Sequence, residues 1–179
     1  MENPYLSVII PAYNEEKTIS KTLLSIDQYL QKQNFPYEIL VVSDGSKDKT
    51  AQVVTDFQRS IGGLRLLDNK ENHGKGWVVR QGMLEAKGQI RLFMDADNAT
   101  TIDHFDKMKP YFEEGADVVI GTRDPKDAKG AKQAVPQPFL KRQLGNIGNV
   151  LIQIFAVWGV WDTQCGFKAF SAKAAQEIF

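Results

Sequence analysis

The sequence has a single cysteine, Cys165, which excludes an internal disulfide framework and a cysteine-rich metal site. It also lacks an excess of either charge. Lys plus Arg and Asp plus Glu number 22 each, so no global basic field is available to attract nucleic acid. Long apolar runs are missing too. The longest, Ile147 to Trp161, is interrupted by Asn149 and Gln153 and falls short of the roughly twenty residues of a membrane-spanning helix. Tyr5 to Ala12 is too short for a signal peptide and flows directly into a helical pattern, so no leader is expected. No G-x-G-x-x-G follows the first strand, which argues against a nicotinamide enzyme, and Gly74-Lys75-Gly76 lacks the remaining parts of a P-loop. The two histidines, His73 and His104, fit no metal-binding spacing.

What remains is a chain of 179 residues, long enough for one α/β domain with a real core. Strand-like runs occur at Leu6 to Pro11, Glu38 to Ser43, Leu64 to Leu67, the segment ending at Met94, and Val118 to Ile120. Helical periodicity lies between them. Ile19, Leu23, Ile26 and Leu30 form one face, and Ala51, Val54, Phe57 and Ile61 another. Further helices are expected over Lys75 to Ala86 and His104 to Glu114. Asn14 and Ser46 are expected as helix N-caps, with Glu15 and Glu16 in the first turn after Asn14. Alternating strands and helices predict parallel pairing with right-handed crossovers, a Rossmann-like arrangement. Ser171 to Phe179 reads as the opening of a helix without a stop signal, as if the chain were cut from a longer one.

Asp95-Ala96-Asp97 follows directly on the apolar run Ile90 to Met94. Such a triplet in isolation is ordinarily a surface turn. At the carboxyl end of a strand in an α/β sheet, where ligands bind, two carboxylates can instead hold a hard divalent cation together with substrate phosphates. Asp44 precedes Gly45 and reads equally as a turn residue. Residues 124–138 carry Pro125, Gly130, Pro136 and Pro138 and are expected to form a flexible loop. Lys126, Lys129, Lys132, Lys141 and Arg142 face only Asp127 in charge, which fits either a solvated loop or an anion-binding flap.

Six segments together resemble family 2 glycosyltransferases, most closely the dolichyl-phosphate β-glucosyltransferase branch of polyprenyl-phosphate glycosyltransferases. They are Ser7 to Glu16, Val41 to Ser46, Asn72 to Gly76, Met94 to Asp97, Gly121 to Arg123 and Asp162 to Phe170. The resemblance implies a glycosyltransferase-A fold: a mostly parallel central sheet flanked by helices, in one catalytic domain over 1–179 that relatives continue beyond. One departure stands out: Ser43 replaces the first of two acidic residues often found beside the position of Asp44.

The resemblance also implies roles. Pro11, Tyr13, Glu15 and Asp44 surround the nucleoside, with Asp44 reading the base. Asp95, Ala96 and Asp97 bind the donor diphosphate, with Asp95 and Asp97 on Mg²⁺ or Mn²⁺. Lys75 and Arg123 assist the phosphates, and Lys141 and Arg142 hold the acceptor phosphate. Asp162 is the base or orienting group, and Asp97 and Asp162 are the implied catalytic pair. The expected donor is a UDP-sugar, first of all UDP-glucose, and the acceptor an isoprenoid lipid phosphate. GDP-mannose and a nucleotide-binding module without turnover stay open at this point. Ile147, Leu151, Ile154, Phe155 and Trp158, with Trp161, suit either core packing or peripheral contact with a membrane. A cytoplasmic location, at the membrane surface, is expected.

Overall fold

The structure, a computed structural model, describes residues 3–128, 131 and 159–179. The chain divides into two compact units, Met1–Val119 with Gly166–Phe179, and Ile120–Cys165. Much of the predicted 124–138 loop, Lys141, Arg142 and the apolar segment from Ile147 to Trp158 lie outside the described residues.

The first unit is built on a sheet whose central strands are apolar along their whole length. β1 (Leu6–Ala12) is buried at every position, as is β4 (Ile90–Met94), and β2 (Tyr37–Asp44) at all but its first residue. Continuous burial of this kind marks strands covered on both faces. With β3 (Leu64–Asn69), β5 (Val118–Ile120) and β6 (Phe167–Ser171), the strand order is β3-β2-β1-β4-β6-β5. β1 pairs in parallel with β2 and β4, and β2 with β3. β6 runs antiparallel to β4, with Met94 opposite Phe167 and Ile90 opposite Ser171.

Helices α1 (Ile19–Leu30), α2 (Thr50–Phe57) and α3 (Lys75–Glu85) connect the parallel strands. The expected face of α1 is fully buried: Ile19, Leu23, Ile26 and Leu30 have no exposure, and each contributes about 2 kcal/mol by leaving water. α3 packs so closely on β1 that a Cβ on Gly82 would come within 2.4 Å of Ile9. A 3₁₀ turn at Ile102–His104 leads into α4 (Phe105–Glu113), so the predicted helix from His104 to Glu114 begins as a tighter turn.

Two expected helix caps are not caps. α1 starts at Ile19 with Thr18 at its N-cap, and α2 at Thr50 after Lys49. Asn14 takes a left-handed conformation, φ 56°. Its Oδ1 accepts from the Lys47 amide at 2.7 Å, while its own amide donates to Ser46 Oγ at 3.2 Å. The Glu15 amide donates to Thr50 Oγ1 at 2.8 Å and the Glu16 amide to Asp48 Oδ2 at 3.1 Å. Side chains suited to capping thus tie the loop after β1 to the loop after β2. The C-terminal helix α5 (Ala172–Ile178) is capped as its sequence suggests, with Ser171 Oγ accepting from the Ala174 amide at 3.1 Å.

Candidate active site

Because β1, β2 and β4 are parallel, their carboxyl ends share one edge, and the segments that leave them line a single cleft of about 510 Å³. Pro11, Tyr13 and Glu15 enter it from the end of β1, Asp44 from β2, Lys75 from the start of α3, and Asp95, Ala96 and Asp97 from the end of β4. The volume lies within the usual range of small-molecule sites. Among the described residues, non-glycine positions with left-handed backbone occur at Asn14, after β1, and Asn98, after β4, two of the three strands that supply the cleft. Asn tolerates that conformation better than most residues, and such positions gather at ligand sites.

Asp44 is almost fully buried. Its Oδ1 accepts from the His73 amide at 2.8 Å and its Oδ2 from the Gly74 amide at 2.9 Å. Gly74, at φ 92°, is the N-cap of α3, so this carboxylate closes the helix entry. Each oxygen has a second lone pair, so the carboxylate can still accept from a ligand N–H. Gly45 is required beside it: at φ 67°, a Cβ would lie 2.6 Å from the Glu71 carbonyl carbon. Next to this loop, the His73 and Trp77 rings stack with centroids 4.3 Å apart.

The carboxylates after β4 are more open. Lys75 Nζ makes an ion pair with Asp95 Oδ1. Asp97 is exposed, and its Oδ1 accepts from the Ala99 amide at 2.9 Å, a local Asx turn. The backbone between them is fixed from below, where buried Thr22 donates from Oγ1 to the Ala96 carbonyl at 2.6 Å. No group of three or more His, Cys, Asp or Glu side chains suited to a metal occurs among the described residues. Two carboxylates on one cleft nevertheless fit a cation of the Mg²⁺ type, which completes its shell with water and substrate phosphate oxygens.

In the second unit, Arg123 and Asp162 face each other. The Arg123 guanidinium donates from Nε to Oδ2 and from Nη2 to Oδ1, both at 2.7 Å, and its amide adds a bond to Oδ2 at 2.8 Å. Burial pushes the Asp162 carboxyl up, but the hydrogen bonds and charge of Arg123 hold it below the usual carboxylate range. Asp127 accepts from the Trp161 and Asp162 amides at 2.8 and 2.9 Å, and Lys126 Nζ lies 3.8 Å from the centre of the Trp161 ring. No helix among the described residues is long and apolar enough to cross a membrane.

The model of one protein family, glycosyl transferase family 2, matches residues 7–179. The chain belongs to glycosyl transferase family 2. It is 39% identical over 185 residues to a dolichyl-phosphate beta-glucosyltransferase of Trichomonas vaginalis, covering 98% of this chain and 56% of the relative. The corresponding Drosophila melanogaster protein is 38% identical over 188 residues, covering 97% and 56%. The chain spans about half the length of the curated relatives it matches. Among solved structures, Staphylococcus aureus TarS residues 1–349 in complex with UDP-GlcNAc aligns with a TM-score of 0.56 at 31% identity, covering 74% of this chain and 37% of that one. The fold is glycosyltransferase-A, a mostly parallel sheet flanked by helices, as the resemblance implied.

For a member of this family, the site includes groups to which the sequence reading gave no role. Thr22 sits within the apolar face of α1, and nothing local distinguishes it from a helix threonine bonded to its own backbone. Asn72 donates from Nδ2 to the Asp44 carbonyl at 3.1 Å and lines the cleft with Gly74 and Val78. Its place within Asn72 to Gly76 was the one available signal.

Proposed function

We propose that this chain transfers glucose from UDP-glucose to an isoprenoid lipid phosphate with inversion at the sugar carbon. The observation that carries the reading is the cleft at the strand ends, where Asp44, Lys75, Asp95 and Asp97 line one cavity. The identity to dolichyl-phosphate beta-glucosyltransferases across 98% of the chain supports the acceptor class and the sugar. The TarS likeness, in a complex with UDP-GlcNAc, supports a uridine donor.

In this reading Asp44 accepts an N–H of uracil while its backbone bonds hold it rigid. Tyr13, half-exposed at the cleft, stacks against the base or ribose, and Pro11 and Glu15 shape the nucleoside end. Asp95 and Asp97 would hold Mg²⁺ or Mn²⁺, and a bound ion would supply positive charge for the departing diphosphate. Lys75, released from Asp95, lends its ammonium to a phosphate oxygen.

The attacking atom is a phosphate oxygen of the lipid. With a second pKa of about 6, that group is largely ionised at neutral pH, so no strong base is needed. Asp162, kept ionised by Arg123, acts as an orienting group, and Arg123 assists the phosphates. Lys141 and Arg142 grip the acceptor phosphate. Trp161, with Lys126 beside it, meets the cytoplasmic face of the membrane, where such rings concentrate.

The test is a panel of nucleotide sugars offered with an isoprenyl phosphate and read by mass spectrometry. A glucosyl-phospholipid formed from UDP-glucose only with Mg²⁺ or Mn²⁺ is expected. Product from GDP-mannose alone, or transfer to a soluble saccharide but not to the lipid, overturns the assignment.

A further inference from the structure

We propose that Gly166 is a positioning residue for the Asp95 carboxylate, an inference that rests on the donor-site reading above. In the antiparallel pair of β4 and β6, Met94 lies opposite Phe167. The residue that follows one strand, Asp95, therefore meets the residue that precedes the other, Gly166. A Cβ on Gly166 would lie 1.9 Å from Asp95 Oδ2, 2.4 Å from its Cγ and 2.7 Å from its Oδ1. All three nearest atoms belong to that one carboxylate.

The backbone itself does not call for glycine here. Among the described residues the positive-φ glycines are Gly45, Gly63, Gly74, Gly115 and Gly159, and Gly166 is not one of them. Gly45 is different: it combines a left-handed backbone with a collision against main chain. At Gly166 no left-handed backbone stands against an alanine, and the three nearest atoms in its way are those of one side-chain carboxylate.

What yields on substitution follows from what is fixed. Phe167, next in the chain, is wholly buried, and its strand is held in register by β4. Asp95 is partly exposed and turns about two single bonds. The carboxylate is thus the movable partner. Lys75 Nζ attracts Oδ1 of the same carboxylate. Asp95 is drawn by one cation and rests against a surface it can approach because residue 166 has no side chain. Gly166 thereby sets where one oxygen is presented to a cation and its diphosphate. Groups that orient a ligand carboxylate commonly change metal affinity by one to two orders of magnitude when altered.

The experiment is a double-mutant cycle with Gly166→Ala, Asp95→Ala and the double variant. It is read by calorimetric titration with UDP, with Mn²⁺ and with EDTA, and by thermal melting. Gly166→Ala is expected to weaken Mn²⁺-dependent UDP binding roughly tenfold while changing binding in EDTA by less than about twofold. In the Asp95→Ala background the same substitution is expected to be silent, because its target is gone. An equal loss in both backgrounds, or no loss in the wild-type background, overturns the inference. If Gly166→Ala alone fails to fold, recovery of folding in the double variant supports the contact, and failure of both variants overturns it. Wild type that binds no UDP under either condition overturns the donor reading instead. The melting temperatures still decide Gly166: coupling between the two substitutions supports the contact, and independent shifts remove it.

Discussion

The two edges of the sheet treat charge in opposite ways. At the amino-terminal edge, Ser7 on β1, Glu38 on β2, Arg65 on β3 and Arg91 on β4 each sit one residue into their strands. Buried Glu38 accepts from Ser7 Oγ at 2.6 Å, from the Lys87 amide at 2.6 Å and from Arg65 Nη1 at 2.9 Å. Arg91, also buried, donates from Nη1 to the Met83 carbonyl at 2.5 Å and lies within reach of the Gly88 carbonyl at 3.4 Å. At the carboxyl-terminal edge, Asp95 and Asp97 face a cleft and are spared full burial. The first edge saturates its charges with protein partners and so stabilises the fold. The second leaves carboxylate oxygens for a ligand. Charges whose bonding protein takes up entirely are structural; carboxylates that keep oxygen lone pairs facing a cleft mark the site.

The largest expected effect comes from breaking the second edge. Asp97→Asn retains an oxygen for the Ala99 amide, so the turn survives, but it removes the charge. Metal-dependent glucosyl transfer is expected to fall by about 100-fold or more, comparable to losing a key stabilising group at a reacting centre. The melting temperature should stay the same or rise, since active-site charges commonly cost stability. Product formation by mass spectrometry, beside a thermal melt of the same sample, checks both halves. Full turnover in the variant would remove Asp97 from the metal site.

The complementary break is Glu38→Ala. It strands the Ser7 hydroxyl, the Lys87 amide and the Arg65 guanidinium together, and about 2 kcal/mol of stability should be lost. UDP affinity of the folded protein should not change. A pH series sharpens the point. Burial pushes the Glu38 carboxyl up, yet the hydrogen bonds from Ser7, Lys87 and Arg65 bring it below its ordinary 4.5. A carboxyl whose folded pKa is depressed contributes stability that is fully present above its unfolded pKa and is lost as pH falls through the folded value. Wild type should therefore lose stability on acidification below about pH 4.5 more steeply than Glu38→Ala. Equal slopes in urea titrations across pH 6 to about pH 3 would show that Glu38 is not the group responsible.

The sequence was most readable where the physics is local. The face of α1 and the buried run of β4 follow from periodicity and hydrophobicity alone, and Asp95 and Asp97 follow from standing just past that run. Asn14 and Ser46 misled because capping is only one use of a short polar side chain. Here they bond across two loops more than thirty residues apart, which no local pattern encodes. β6 was missed for a related reason. Phe167 to Ser171 is five residues long, and its pairing is antiparallel to a strand over seventy residues earlier, so it read as motif rather than as sheet. Thr22 and Gly166 act on the acidic triplet only once α1 and β6 have been placed beside it.

β6 joins the two edges, and that allows the finest test. Its first residue lies beside the cleft, next to Gly166, and its last, Ser171, lies opposite Ile90 at the saturated edge. Ser171 Oγ accepts from the Ala174 amide and donates to Asp117 Oδ1 at 2.7 Å, so it caps α5 and ties the strand to the segment entering β5. Ser171→Ala should lower stability by about 1 kcal/mol, the usual cost of a lost N-cap. It should leave Mn²⁺-dependent UDP affinity unchanged, whereas Gly166→Ala, five positions earlier and just before the same strand, is expected to lower it. A drop in UDP affinity with Ser171→Ala, measured by the same titration, would mean that the edges are coupled through β6. The division between a structural and a ligand-facing edge would then fail along that strand.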